Sequence, residues 1–173
     1  MKNQNGFSLL EFLLSLIIVF VLTTIGYSQY VSSWENAKRA AIIANMHTIQ
    51  LTVEDFSTRA DGVYPGGINT MVCQVSVNPD SSVLAGANKP PYTLKSLIPE
   101  STANPVDTTN DAIRNGLARK PAGCVYYYGI NTLGKPSAEG EKAVAYKITA
   151  MGPYRPLTYV LTSGGKEAIN EKK

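Results

Sequence analysis

Glu11 is a lone carboxylate inside the apolar run Phe7 to Ile25, directly behind the short leader Met1 to Gly6. A charge at the centre of a bilayer costs about 2.5 to 3.5 kcal/mol on insertion scales and is retained where it finds a partner. A cationic group on another copy of this chain would be such a partner, positive at neutral pH where Glu11 is negative. Between neighbouring copies, the two would offset each other's desolvation and fix the stagger of packed apolar helices. Cys73 and Cys124 are the only cysteines. They lie beyond the apolar run, where an oxidising compartment favours a disulfide closing about 50 residues and stabilising by roughly 3 to 4 kcal/mol. Asp107-Thr108-Thr109-Asn110-Asp111 offers oxygen ligands but lacks the Gly and terminal Glu of an EF-hand loop. A polar turn is the favoured reading, with Asp107 and Asp111 as calcium candidates. Two isolated cysteines and one histidine lack metal-ligand spacing. His47 stands beside Met46 with no nucleophile paired to it in sequence, so it reads as a locally bonded helix residue. No catalytic constellation or cofactor motif emerges, and the chain reads as non-enzymatic.

Three interpretations of the first 30 residues position these groups differently. A secretory signal has a basic start, about 7 to 15 apolar residues and a small-x-small cleavage site. Here the run is about 19 residues, enough to span a ~30 Å hydrocarbon core at ~1.5 Å per residue. The following Gly26-Tyr27-Ser28-Gln29-Tyr30 offers no Ala-x-Ala site. A plain membrane anchor fits that length but leaves Glu11 and the abrupt leader unexplained. The third interpretation rests on Gly6-Phe7-Ser8-Leu9-Leu10-Glu11.

That segment resembles the G-F-[ST]-L-[LIV]-E sequence of type IV prepilins and type II secretion pseudopilins. The resemblance implies cleavage after Gly6 by a membrane-embedded prepilin peptidase, N-methylation of Phe7, and retention of the apolar helix with Glu11 as the fifth mature residue. The new Phe7 amine, positive at neutral pH, would then pair with Glu11 of an adjacent copy. Asp61-Gly62-Val63-Tyr64-Pro65 is similar to the D-G-x-Y-P turn of major pseudopilins and some pilins. Leu94-Lys95-Ser96-Leu97-Ile98-Pro99 and Asn104-Pro105-Val106-Asp107 resemble the L-x-x-L-I-P and x-P-x-D stretches of many pilin heads. One departure is Ser28, where many relatives have a helix-bending Pro. Any local unwinding would centre on Thr23, Thr24 and Gly26.

The elements carrying these residues follow from periodicity. Pro is absent before Pro65, and Gly26 is the sole Gly between Gly6 and Gly62, so one long helix is expected. From Phe7 to about Thr58 it would measure roughly 75 to 80 Å. From Trp34, the positions Ile42, Met46, Ile49, Val53 and Phe56 recur at threes and fours, making one buried face. Asp61-Gly62 and Pro65 should stop the helix. Short β-rich runs at Cys124 to Ile130, Ala143 to Ala150 and Leu157 to Thr162 predict an antiparallel sheet of three or four strands on that face. The expected class is α+β, type IV pilin-like. Residues 1–6 form the leader, 7–30 the membrane and filament-core helix half, and 31–58 the head-packed half. Residues 59–123 form a loop-rich segment that includes Pro90-Pro91, 124–165 the sheet, and 166–173 a polar tail. In Tyr126-Tyr127-Tyr128, alternation puts Tyr127 on one face and its neighbours on the other.

The 173 residues carry a formal net charge of +3, and loss of the leader removes Lys2 from it. That balance gives no strong nucleic-acid signal. The expected function is a structural pilin or pseudopilin subunit, inserted in the inner membrane with its head outside the cytoplasm and polymerised into a type IV pilus or periplasmic pseudopilus. Its implied partners are copies of itself, prepilin peptidase, the inner-membrane assembly platform, other minor pilins or pseudopilins, and lipid before assembly. The alternatives are a monomeric membrane-anchored binding module, or a minor tip pilin with an adhesin or DNA-binding role. For DNA, Arg114, Arg119 and Lys120 are the first candidates.

Overall fold

The computed structural model describes residues 8–75, 92–117, 120–163 and 165–168. The chain divides into two compact units, residues 1–37 and 38–173. Helix α1, Leu9–Arg59, runs unbroken through Gly26 and Ser28. Its Thr23 and Thr24 hydroxyls donate back to the carbonyls of Val19 and Val21, at 2.7 and 2.8 Å. These hydroxyls stay within the ladder and open no kink. In the first unit, every residue from Ser8 to Trp34 is exposed.

The second unit contains the core. Ile42, Met46, Ile49, Val53 and Phe56 are fully buried in one cluster with Val125, Tyr127, Tyr146, Ile148 and Leu161. Removing each such side chain from water contributes about 1.5 to 3 kcal/mol. The expected stripe begins later than predicted, because Trp34 is 55% exposed and burial starts at Ile42. The helix ends where the sequence indicated. Asp61 and Gly62 adopt φ of 57° and 84°, and the Gly62 N–H donates to the Ser57 carbonyl at 2.8 Å, closing the last turn.

The next residues enter strand pairing. Strand β1, Tyr64–Pro65, pairs antiparallel with β4, Lys142–Ala143. Gly66 follows, donating to the Glu141 carbonyl at 3.0 Å and accepting from the Gly129 N–H at 3.1 Å. A Cβ at position 66 would run into the Ala138 carbonyl oxygen, so only glycine lets these three backbones meet. The segment expected as loops also holds two single-turn helices, α2 at Val72–Val75 and α3 at Leu94–Leu97. Thr93 caps α3, its hydroxyl accepting from the Ser96 N–H at 3.1 Å while Ser96 Oγ accepts from the Thr93 N–H at 3.0 Å.

The main sheet has five strands in the order β2-β3-β5-β6-β7: Ile113–Asn115, Val125–Ile130, Ala145–Ala150, Tyr159–Thr162 and Gly165–Ala168. The three strands expected from sequence are present within about two residues at each end. Two features correct the expectation. The sheet is mixed, because β2 pairs parallel to β3 with Ile113 opposite Val125. The final strand also extends into the polar tail, where backbone pairing of Tyr159 with Ala168 and Val160 with Glu167 continues the ladder. Charged side chains hide such a strand from pattern reading, since the ladder bonds belong to the backbone. Pro90-Pro91 and the rest of the tail lie outside the described residues. The class is α+β, with a long N-terminal helix followed by a small mixed sheet laid out as in type IV pilins.

Candidate functional site

Glu11 occupies the first turn of α1. A carboxylate there faces the positive end of the helix dipole. Its apolar neighbours are exposed from Leu9 and Leu10 through Phe12, Leu13 and Leu14 to Ile25. Among the described residues Glu11 has no hydrogen-bond or ion-pair partner within the chain. This segment is the helix long and apolar enough to cross a membrane, and none of its apolar window is buried. Gly6 and Phe7, the predicted cleavage and methylation positions, lie outside the described residues.

The head places the other candidates differently. The structure shows no Cys73–Cys124 bond, and both cysteines stand in it as free thiols. Cys73 is exposed on α2, whose buried residues Val72 and Val75 belong to the main core. Cys124 is buried in a separate cluster with Tyr126 and Met151. Its thiol donates to the Asp111 carbonyl at 2.8 Å, while Asn104 Nδ2 approaches the sulfur at 3.5 Å. Burial pushes the Cys124 thiol pKa up, against a smaller opposing effect of Arg114. The Cys124 sulfur is thus packed inside the head, whereas Cys73 is exposed.

Asp107 closes a polar turn. Its carboxylate accepts from the Thr109 N–H at 3.0 Å, the Thr109 hydroxyl at 2.6 Å and Asn110 Nδ2 at 2.6 Å. These bonds, Thr109's first, hold its pKa below the ordinary carboxylate value. Asp111 contributes its backbone carbonyl to Cys124. Among the described residues no group of three or more His, Cys, Asp or Glu side chains converges as metal ligands. His47 is exposed, with its Nε2 3.0 Å from the Tyr159 hydroxyl and the two rings edge to face. Arg114 donates to Asn110 Oδ1 at 3.1 Å. Lys120 is exposed, and Arg119 lies outside the described residues.

Tyr127 and Tyr126 fall on opposite faces as alternation requires, one in the main core and one with Cys124. Two residues that periodicity passed over organise the head. Asn104 is buried, donating to the Ala122 carbonyl at 2.9 Å and accepting from the N–H groups of Val106 and Asp107 at 2.9 and 3.1 Å. Its signal was the residue preceding Pro105, a position biased away from helix. Glu54 accepts from the Tyr146 hydroxyl at 2.7 Å and the Tyr64 hydroxyl at 3.3 Å. It thereby joins α1 to β5 and β1 at the edge of a stacked Tyr127–Tyr146 pair. Nothing in its own sequence neighbourhood distinguishes Glu54 from an ordinary solvent-facing helix residue.

Residues 1–27 match the family model described as the prokaryotic N-terminal methylation motif. That motif is the prepilin signature of type IV pilins and pseudopilins. The chain thus carries the prepilin signature at its N-terminus, and its long apolar helix fits a membrane-anchored precursor. Proteins with this signature are structural subunits, and the motif implies processing by prepilin peptidase. No curated protein and no solved structure matches the chain.

Proposed function

We propose that this chain is a filament subunit of a type IV pilus or type II secretion pseudopilus. The precursor spans the inner membrane once, with residues 38–173 outside the cytoplasm. Prepilin peptidase cleaves between Gly6 and Phe7 and methylates the Phe7 amine, and the assembly platform then draws residues 7–30 out of the lipid into a helical filament core. There Glu11 of one copy pairs with the Phe7 amine of the next. Further subunits of the same class, minor pilins or pseudopilins, are its remaining partners.

The observation that carries this reading is the methylation motif at residues 1–27 leading into an apolar run, Leu9 to Ile25, whose large side chains are exposed around one carboxylate. A plain anchor accounts for the apolar side chains but gives Glu11 nothing to do. In the source cell, Glu11→Ala is expected to leave the chain membrane-inserted and processed, with methylated Phe7 first by N-terminal mass analysis. Its incorporation into sheared filaments should fall at least about tenfold, roughly the 1.4 kcal/mol that one misplaced charge pair exceeds. Normal incorporation of the variant would remove the pairing mechanism, and an intact Met1 would favour the anchor.

A further inference from the structure

Arg39 extends the buried face of α1 by one turn before Ile42, at a position where the stripe would otherwise place an apolar side chain. Arg39 borders a concavity of about 60 Å³ whose other walls are Pro153, Arg155, Pro156, Leu157 and Thr158. The backbone of that wall is fixed on both sides. Gly152 N–H donates to the Arg155 carbonyl at 2.8 Å, Leu157 N–H donates to the Ala150 carbonyl at 2.9 Å, and Met151 bridges Pro156. Pro153 and Pro156 restrict it further through their locked φ.

Two arginines thus line one small hollow, and no acidic residue is among its walls. Arg59 is paired with Asp55 at 3.0 Å, and Arg114 donates to Asn110. Among the described residues, the side chains of Arg39 and Arg155 have no such acceptor, and the Arg39 Nε is enclosed without a hydrogen-bond partner. Two like charges on the walls of one hollow repel each other, and an anion between them reverses the sign of that interaction. A hollow of this volume has room for a small oxyanion.

We propose that Arg39 and Arg155 form a phosphate-binding site. A phosphate dianion answers both positive charges, whereas one carboxylate leaves a charge uncompensated, and its tetrahedral oxygens meet two guanidinium forks together. Thr158 lines the same hollow. The recognised group is the phosphate itself, carried by the free ion or by a lipid headgroup ester.

The test uses the full chain in a nonionic detergent, titrated calorimetrically with inorganic phosphate at ionic strength held constant with sodium chloride. The expected result is saturable binding that Arg39→Gln and Arg155→Gln each weaken at least about tenfold. Arg155 lies in an exposed turn, so R155Q retains the fold and decides the matter should R39Q fail to fold. Competition by phosphatidic acid doped into the micelles assigns the site to a lipid ester, and failure to compete assigns it to soluble phosphate. Absence of saturable binding in the unaltered chain, or equal binding by a folded R155Q, overturns the proposal.

Discussion

Cys124 and Cys73 show how burial, more than residue type, sets chemistry at a single position. Cys124 is enclosed with Tyr126 and Met151, and its thiol is engaged by the Asp111 carbonyl. Burial also raises its pKa, so little of the reactive thiolate form exists at neutral pH. Cys73 stands exposed. A maleimide probe added to the native chain should therefore label Cys73 within minutes and leave Cys124 untouched until denaturant is added, as read by intact mass. Equal protection of both, released only by a reductant, would restore the disulfide. The sequence revealed both cysteines but not their surroundings. A pairing is inferred from compartment and count, whereas the layer each sulfur occupies depends on Asn104, Asp111 and α2, distant in the chain. Glu11 was legible for the opposite reason, since its anomaly is local and survives without any tertiary structure.

At the scale of elements, periodicity gave α1 its length and its buried face from Ile42 to Phe56, because a 3.6-residue repeat is written in adjacent turns. It misplaced Trp34, which has the right residue type but is exposed, burial starting only at Ile42. Strands β3, β5 and β6 were legible from their β-branched and aromatic runs. The parallel partner β2 and the closing strand β7 were not, since their ladder bonds carry no side-chain signature. Where α1 meets the sheets, Glu54 joins Tyr146 and Tyr64. The Tyr146 pKa is raised, by burial first and then by the hydrogen bond to Glu54. Burial also raises Tyr127, well above its ordinary value, and Tyr64, where the Glu54 charge adds to the effect. The folded head therefore holds these protons more tightly than the unfolded chain, whose tyrosines titrate near ~10. The resulting stability is fully present below about pH 10 and is lost as pH rises toward the folded values. Thermal unfolding followed by near-UV circular dichroism should show a plateau through neutrality and a steep fall above about pH 10. Tyr146→Phe should lower stability at pH 7 by about 1 kcal/mol and flatten the alkaline fall. An unchanged alkaline limb in that variant would mean Tyr146 does not contribute to it.

At the scale of the whole molecule, the two units divide the apolar residues between two kinds of environment. Every member of the main core cluster lies at or beyond Ile42, while residues 8–34 are exposed throughout. A chain lacking residues 1–30 should accordingly remain monomeric in detergent-free buffer and retain the cooperative thermal transition of the full chain, as seen by sedimentation and near-UV circular dichroism. Precipitation that only detergent reverses would show that the head needs the apolar helix as part of its own core. In the sequence the two environments are written as different patterns, an apolar run ending at Ile25 and a stripe at threes and fours from Ile42.

The Glu54–Tyr146 hydrogen bond spans 92 positions of chain, and the Tyr127–Pro65 bond spans 62. Closing loops of that size carries an entropic cost that is incurred before the distant partners reward it. For a chain delivered across a membrane in linear order, the spine helix arrives first and the strands that shelter it arrive last. The apolar face from Ile42 to Phe56 therefore waits uncovered until β5 has emerged. The final third of the sequence governs when the helix becomes safe from misassociation, although it supplies none of the helix itself.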